Sequence, residues 1–276
     1  MSALYSRDTV ISRREEDMAL VYNKGEEQFH IHVKPGEVGK YVILPGDPGR
    51  CELIAAYFDE PRLIAQNREY TTYTGKLNGI DVSVCSTGIG GPSAAIAMEE
   101  LIKCGADTFI RVGTSGGMRE DIMGDDLCIA MSAIRMEGTS KEYAPIEWPA
   151  TADYDIVKAL NEAAEALGFR HATGVVQCKD SFYGQHDPSS MAGVPSVGDK
   201  WQSWLRLGAL CSEMESAALF TVAALRGVRC GAVLHVIANQ TRREKGLPDP
   251  QVYDTDKAIK TAIEAVKLLI ERDENR

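Results

Sequence analysis

The chain has 276 residues, 44% of them hydrophobic, and a formal net charge of −10. This composition suits a globular protein with a sizeable core, and the acidic balance argues against nucleic acid or an anionic membrane as the main partner. No apolar run is long enough to span a bilayer, and residues 1–18 lack the apolar segment of a signal peptide. Seven cysteines without metal-like spacing fit reduced, buried thiols, so we expect a cytoplasmic protein.

The N-terminal region divides into a polar extension and the start of the fold. Residues 1–27 are polar and weakly periodic, whereas residues 28–276 are interpreted as a single domain. The alternation in Gln28–Val33 predicts a strand that carries His30 and His32 on one face. These histidines have no further metal ligands nearby in sequence, so a solvent-facing pair and a functional role stay open as alternatives.

The next elements end in turns that are rich in glycine. An apolar strand over 41–44 ends in Pro45-Gly46-Asp47-Pro48-Gly49-Arg50 and leads into a helix, and an arginine in the first turn of a helix favours anion binding. Segments 70–76 and 80–85 alternate around Leu77-Asn78-Gly79 and predict a hairpin. A second glycine-rich turn, 86–93, opens a helix through Cys104. Its glycine spacing fits a dinucleotide site poorly, and we reject that cofactor.

Asp107–Met118 is the stretch around which the other motifs are arranged. It reads as a short strand that ends in a charged residue, Arg111, and then as a loop over Gly113–Gly117. Glycines let the backbone approach a ligand closely, and a guanidinium supplies a planar fork of donors that suits phosphate. The alternative is a tight turn whose arginine pairs with a structural carboxylate.

The second half alternates strands and helices and adds two polar clusters. A strand over 171–178 leads into a loop with Lys179, Phe182, Gln185 and His186, a set that suits recognition of a flat polar ring. The alternative is a surface loop whose aromatic side chains cover the sheet edge.

Two carboxylates flank a methionine farther along the chain, in Glu213-Met214-Glu215, at a predicted strand-to-helix junction. A sugar diol or Arg111 would satisfy these carboxylates if they are buried. The alternative is the general preference of helix N-termini for acidic residues. The last strand, 231–238, ends in Asn239, and an amphipathic helix over 254–271 closes the chain.

The alternation of strands and helices predicts an α/β fold, a three-layer α/β/α sandwich around a mixed sheet. Each polar motif follows a predicted strand, at its carboxyl end. Because ligands of open α/β sheets bind at that edge, the sequence predicts one shared pocket.

With these motifs collected, the sequence resembles the uridine phosphorylases of the trimeric and hexameric nucleoside phosphorylase family. The resemblance covers the chain from about Gln28 to its end and implies a phosphorylase/hydrolase-like fold. It is carried by several motifs in the same order: FHIHV (29–33), PGDPGR (45–50), NREYTT (67–72), STGIGGPS (86–93), FIRVGTSG (109–116), SFYGQ (181–185) and SEMES (212–216).

The resemblance implies three neighbouring subsites. The phosphate subsite falls on Gly46, Arg50, Arg68, Arg111 and Thr114, with Arg68 contributed by a neighbouring subunit. The ribose subsite falls on His30, Thr114, Glu213, Met214 and Glu215, with His30 crossing a subunit interface. The uracil subsite falls on Gly116, Lys179, Phe182, Gln185, His186, Ile237 and Ala238. Arg111, Gln185 and Glu215 are the expected catalytic residues. Glu69, Ile89 and Ser93 resemble a potassium site between subunits.

Two departures from the family pattern bear on the base. Many bacterial relatives have an arginine two residues after the glutamine, whereas this chain reads Gln185-His186-Asp187, and we expect Lys179 and His186 to replace it. Purine-cleaving relatives carry an aspartate after the last core strand. Asn239 stands in that region here, and a neutral amide is not a general acid.

The expected reaction is therefore the phosphorolysis of uridine to uracil and ribose 1-phosphate, without an organic cofactor and with phosphate as co-substrate. The expected assembly is a homo-oligomer with shared sites, built from dimers into a hexamer. The alternatives are a purine nucleoside phosphorylase, a hydrolytic nucleosidase, and a nucleoside-binding sensor without turnover.

Overall fold

The computed structural model describes residues 27–187, 191 and 196–276, so the predicted extension lies outside the described residues except for Glu27. The strands are β1 Tyr41–Pro45, β2 Asp59–Asn67, β3 Tyr70–Leu77, β4 Ile80–Cys85, β5 Thr108–Gly117, β6 Leu127–Met136, β7 Ala150–Thr151, β8 His171–Lys179, β9 Cys211–Glu213 and β10 Arg229–Asn239. The helices are α1 Gly49–Ala55, α2 Gly91–Lys103, α3 Thr139–Tyr143, α4 Tyr154–Ala166, α5 Phe182–His186, α6 Ser196–Arg206, α7 Ser216–Arg226, α8 Gln240–Glu244 and α9 Asp256–Glu274.

These strands form a mixed sheet with the order β10-β6-β8-β9-β5-β1-β4-β3-β2, and β7 pairs with β6. Strand β10 also pairs with β5, so β5, β10, β6, β8 and β9 close on one another like a small barrel. Strands β4, β1, β5 and β10 run parallel, and β2, β3 and β4 continue the sheet as antiparallel neighbours. The carboxyl ends of the parallel strands therefore meet at one edge.

Helices cover both faces of the sheet, as the alternation along the central strands requires. In β1, Val42 and Leu44 pack with α2 and α7 on one face, whereas Tyr41 and Ile43 pack with α1, α4 and α9 on the other. Each fully buried aliphatic side chain of this kind contributes about 1.5–3 kcal/mol. The prediction of a three-layer α/β/α sandwich around a mixed sheet is confirmed.

Local sequence signals fix several boundaries. Asp153 caps α4 by accepting a hydrogen bond from the backbone N–H of Ile156 (3.1 Å). Asn78 and Gly79 both have positive φ, the backbone of a tight hairpin turn between β3 and β4. The predicted hairpin is confirmed within one residue.

The prediction of a loop over Gly113–Gly117 is wrong, because β5 continues to Gly117. Parallel pairing with β10 runs along this whole segment, and Gly116 and Gly117 also pair with β9. On the side of β1 and β9, pairing with β1 stops at Val112 and pairing with β9 begins at Gly116. The intervening residues 113–115 form an opening in the sheet.

Two smaller predictions also need correction. Gln28–Val33 is a turn and not a strand, since the backbone N–H of His32 donates to Gln28 O and His32 has a positive φ. Its histidines do not share a face, because His30 contacts Glu100 while His32 approaches Glu27. The predicted loop 137–150 contains α3, which the buried guanidinium of Arg135 holds by donating to the carbonyl of Ser140 (2.7 Å).

In the described part of the chain, no helix has the length and apolar character needed to cross a bilayer.

Candidate active site

A cavity of about 1310 Å³ opens where the carboxyl ends of β1, β5, β8 and β10 meet. The gap in the sheet at residues 113–115 lies in its wall, together with the turns after β1 and β4 and the junction between β9 and α7. The prediction that the separate motifs share one pocket is therefore confirmed for the residues that line it.

Arg111 lies in the interior of this cavity and is only 4% exposed. Its Nε donates to Glu213 (3.0 Å), and its Nη2 donates to Glu215. Its Nη1 is buried and has no hydrogen-bond partner among the described residues. Because an unpaired buried donor is costly, this nitrogen is the group from which a bound anion would accept.

The two carboxylates are held by backbone donors as well as by Arg111. Glu213 accepts from the backbone N–H groups of Glu215 and Ser216 (both 3.0 Å) at the start of α7. Glu215 accepts from the backbone N–H of Gly90 (2.6 Å) in the turn after β4. Burial alone would lower the pKa of Arg111, but Glu215 and Glu213 outweigh it and raise that pKa. Arg111 therefore keeps its positive charge between the two carboxylates.

Arg50 places a second guanidinium group near that of Arg111. It lies in the first turn of α1, and its Nη1 donates to the carbonyl of Val112 (3.3 Å). Burial, followed by the positive charge of Arg111, lowers the pKa of Arg50. An anion between the two guanidinium groups would relieve this repulsion. Gly46 keeps the adjoining turns in contact, because a Cβ there would stand 3.1 Å from Gly88 O.

A hydrogen-bonded chain lies at the other end of the cavity. Lys179 Nζ donates to Ser212 Oγ, and Ser212 Oγ donates to Gln185 Oε1 (3.2 Å). All three residues are buried and line the cavity. The predicted loop after β8 contains the short helix α5, whose Phe182 lines the cavity with half of its side chain exposed.

Most of the predicted site residues lie in this cavity, and two of those that the structure describes do not. The predicted residues that line it are Gly46, Arg50, Arg111, Thr114, Gly116, Lys179, Phe182, Gln185, Glu213, Met214, Glu215, Ile237 and Ala238, with Glu69, Ile89 and Ser93 at its rim. His30 and Arg68 are outside its lining. The side chain of His186 lies outside the described part of the structure.

Glu69 and Ser93 contact each other in the described fold, and Ile89 lines the same cavity. Ser93 Oγ donates to Glu69 Oε1 (2.8 Å) and also contacts the carbonyl of Thr87. Across residues 27–187, 191 and 196–276, His, Cys, Asp and Glu side chains form no group of three or more that could hold a metal ion.

Asn239, which stands in the region where purine-cleaving relatives carry an aspartate, turns its side chain toward the loop after β5. Its side-chain NH₂ donates to the carbonyls of Arg119 (2.8 Å) and Ile122 (2.7 Å), and its Oδ1 caps α8 by accepting from Arg242 N–H. Asn239 is fully buried and is not part of the cavity lining. The neighbouring Gln240 lines the cavity instead.

Sequence reasoning missed the wall that follows β10. Its cavity-lining residues come from α8 and the segment after it: Gln240, Arg243, Glu244, Gln251 and Tyr253. Trp201 of α6, earlier in the chain, also lines the cavity. The indole N–H of Trp201 is buried without a partner among the described residues. The sequence does contain a signal for α8, because a polar run follows the last strand in the same way that the other site motifs follow theirs.

The fold and this cavity, with its paired guanidinium groups and buried carboxylates, define an α/β protein whose cavity offers donors for an anion beside a polar organic ligand. The model of the phosphorylase superfamily matches residues 40–271, and the chain belongs to that superfamily.

The similar proteins differ in the base that their names specify. The uridine phosphorylase of Treponema pallidum is 58% identical over 94% of this chain and 100% of its own length. That of Thermococcus kodakarensis is 48% identical over 90% of this chain and 89% of its own length. The guanosine phosphorylase of Halorubrum lacusprofundi is 38% identical over 88% of this chain and 99% of its own length.

Proposed function

We propose that this protein catalyses the reversible phosphorolysis of uridine to uracil and ribose 1-phosphate. The observation that carries the proposal is the buried Nη1 of Arg111, which has no hydrogen-bond partner among the described residues and lies beside the guanidinium of Arg50. A hydrolase has no need of such an anion site. The names of the Treponema pallidum and Thermococcus kodakarensis relatives support uridine as the nucleoside.

In the proposed mechanism, Arg111 and Arg50 hold phosphate next to C1′ of the ribose, with Gly46 and Thr114 beside it. One phosphate oxygen forms a bond to C1′ while the bond from C1′ to N1 of uracil breaks. Positive charge develops on the sugar in this transition state. Glu215 stabilises that charge and, with Glu213 and Met214, binds the ribose hydroxyls.

The base is bound at the opposite end of the cavity. Gln185 pairs with the uracil edge, Phe182 covers the ring and excludes water, and Gly116, Ile237 and Ala238 line the slot that receives it. The electron pair of the broken bond stays on uracil and spreads onto its carbonyl oxygens. Uracil then takes up one proton, which balances the proton that hydrogen phosphate gives up on forming ribose 1-phosphate. Nucleophile and leaving group are both supplied by the substrates, so the proposed reaction uses no organic cofactor.

The test follows the absorbance of uridine with purified protein, with and without phosphate. We expect uridine loss only when phosphate is present, with inosine and guanosine unchanged. Guanosine cleavage would establish the purine alternative, which the 38% identical guanosine phosphorylase keeps relevant. Phosphate-independent cleavage would establish a nucleosidase, and binding of uridine without cleavage would establish a sensor.

We also propose that a neighbouring copy completes each site, as the inferred roles of Arg68 and His30 require. Exposed apolar side chains support such an interface, including Ile89 at the cavity rim, which is 78% exposed. The proposed assembly is a hexamer built from dimers. Mixing an inactive Arg68→Ala protein with an inactive Arg111→Lys protein would then restore part of the activity. An Arg68→Ala protein with full activity would overturn the shared site.

A potassium ion at Glu69, Ile89 and Ser93 belongs to the same proposal. Carboxylate, hydroxyl and carbonyl oxygens are the donors that hard cations prefer. One protomer offers too few of them, so a second copy would supply the rest. The cation would then hold two subunits together. A cytoplasmic location is proposed as well, supported by the seven cysteines, which are buried and free.

A further inference from the structure

The geometry of two neighbouring strands brings Lys179 and Ser212 together. Strands β8 and β9 run parallel, with Gln177 opposite Ser212 and Cys178 opposite Glu213. Side chains alternate between the two faces of a sheet, so Lys179 shares the face of Gln177 and lies diagonally across from Ser212. Lys179 is 6% exposed, and its ammonium group donates to Ser212 Oγ.

The direction of this hydrogen-bonded chain follows from its donor end. An ammonium group has only donors, so Ser212 Oγ must accept from Lys179 and is left to donate its own proton. That proton goes to Gln185 Oε1, at 3.2 Å. With its oxygen oriented by Ser212, the Gln185 amide has its Nε2 N–H groups left for a ligand.

The hydrogen bonds from Lys179 through Ser212 to Gln185 also place a positive charge at the base end of the cavity. Burial lowers the pKa of Lys179, while the carboxylates of Glu213 and Glu215 and the thiols of Cys178 and Cys211 act in the opposite direction. Gln185 is followed by His186 and Asp187, so no arginine stands two residues after it. Lys179 is therefore the buried cation that the described fold provides next to Gln185.

We propose that Lys179 and Ser212 are positioning residues that act through Gln185. The ammonium, the hydroxyl and the amide form a relay that orients the Gln185 N–H groups toward a carbonyl oxygen of the departing base and polarises them. As the bond between C1′ and N1 breaks, its electron pair spreads onto that oxygen, and the relay stabilises the charge. Lys179 keeps its proton throughout. This inference rests on the proposed uridine phosphorolysis.

The experiment compares Lys179→Met, Ser212→Ala and the conservative Ser212→Thr with the wild type on two substrates, uridine and 5-fluorouridine. The electron-withdrawing fluorine makes the base a better leaving group, which depends less on help from the protein. We expect the first two variants to lose about 10- to 100-fold in kcat with uridine and clearly less with 5-fluorouridine. Ser212→Thr keeps the hydroxyl and should keep most of the activity.

Two further readouts separate a relay from a merely structural role. The double variant Lys179→Met/Ser212→Ala should lose no more than Lys179→Met alone, because the two groups act as one unit. The ratio of the wild-type kcat to the kcat of Lys179→Met should fall as the pH rises. The fall should begin below pH 10.5, the ordinary lysine pKa, because burial lowers the pKa of Lys179. Ionisation of the substrate affects both proteins and cancels in this ratio. The KM for phosphate should change by less than about twofold, since Arg111 and Arg50 are intact.

Lys76→Met serves as the control, since Lys76 is an exposed lysine paired with Asp81 in the hairpin. If the wild type cleaves uridine and the kcat values of Ser212→Ala and Lys179→Met stay within twofold of it, the relay is overturned but the proposed function is not. Equal losses of kcat on both substrates would also overturn the relay alone. A wild type that leaves uridine intact would overturn the proposed function, and the relay with it. Ser212→Ala removes a single oxygen, so it tests the relay even if Lys179→Met fails to fold.

Discussion

Arg111 has two tasks that a substitution can separate, because it both neutralises buried carboxylates and presents a free donor to the cavity. Arg111→Lys keeps a positive charge beside Glu213 and Glu215 but loses the planar fork. We expect kcat/KM for phosphate to fall by about 10²- to 10³-fold. Steady-state kinetics with varied phosphate test this, with the exposed Arg119→Lys as control. Unchanged dependence on phosphate would contradict the assignment.

Removal of that charge should affect folding as well. Arg111→Met leaves both carboxylates buried without their cation, which costs about 3–5 kcal/mol. The difference between the urea unfolding curves of Arg111→Met and Arg111→Lys measures the ion cluster apart from ligand binding. Equal stability of the two variants would show that the cluster is not needed to hold the fold.

Two glycines of β5 provide a matched pair of substitutions. A Cβ at Gly116 would meet nothing within 4 Å, whereas a Cβ at Gly113 would lie 2.7 Å from Leu234 and 2.9 Å from Arg111. We expect Gly116→Ala to fold with stability within about 1 kcal/mol of wild type. Its methyl group takes space in the cavity and should raise the KM for uridine by about 10- to 100-fold.

Gly113→Ala should behave in the opposite way. Its methyl group presses on the Arg111 guanidinium, so we expect a loss of about 1–3 kcal/mol in stability and weaker phosphate binding. Thermal unfolding and KM values for both substrates distinguish the two variants. If Gly116→Ala binds uridine normally, the base does not lie against β5.

At the scale of an element, α8 depends on Asn239 for its start and for its contact with the loop after β5. Asn239→Ala removes the cap and leaves the carbonyls of Arg119 and Ile122 without their donor, a loss of about 2–3 kcal/mol. The wall formed by Gln240 and Arg243 should loosen, which raises the KM for uridine. Chemical denaturation and kinetics of the variant test both effects, with Asn275→Ala at the exposed end of α9 as control.

Asn239→Asp tests the observed orientation of this residue. A carboxylate would face two carbonyl oxygens, so the variant should be less stable than wild type. It should gain no cleavage of inosine, since the side chain faces away from the cavity. New inosine cleavage by this variant would contradict this orientation.

The closing helix α9 is tied to the sheet by one carboxylate near its end. Asp273 accepts from Tyr41 Oη (2.8 Å) and from Arg229 Nη1 (3.1 Å). Burial opposes ionisation of Asp273, but these hydrogen bonds outweigh it and lower its pKa below the ordinary 3.8. A lowered carboxyl pKa stabilises the fold above the ordinary value, and this contribution disappears as pH falls through the folded-state pKa.

We therefore expect Asp273→Asn to lose about 1–2 kcal/mol at neutral pH. The difference from wild type should stay constant down to about pH 4 and then shrink. Denaturation curves at several pH values test this. A difference that grows as the pH falls would contradict the sign of the pKa shift.

At the scale of the whole molecule, an acidic protein with a net charge of −10 keeps the guanidinium groups of Arg50 and Arg111 in its cavity. Phosphate should therefore bind by local contacts and stabilise the folded state by mass action, by about 2.7 kcal/mol at 100 times its Kd. Thermal unfolding with phosphate, against chloride at the same ionic strength, measures this. Arg111→Lys should lose most of the stabilisation, and equal shifts with both salts would contradict a specific site.

The sequence alone determined the order of elements, because alternation and turn residues are local signals. The β3–β4 hairpin, α4 with its Asp153 cap and the burial of both faces of β1 follow from side chains a few positions apart. The motifs at the strand ends also pointed to one cavity, since parallel strands bring their carboxyl ends to one edge.

Only the tertiary structure decided which of these groups meet. A glycine-rich run favours a loop locally, yet β9 and β10, nearly a hundred residues or more away in sequence, extend β5 to Gly117. The orientation of Asn239, the wall after β10 and the chain from Lys179 through Ser212 to Gln185 depend on such pairings too. Distances between remote residues arise when the sheet closes, and no local pattern contains them.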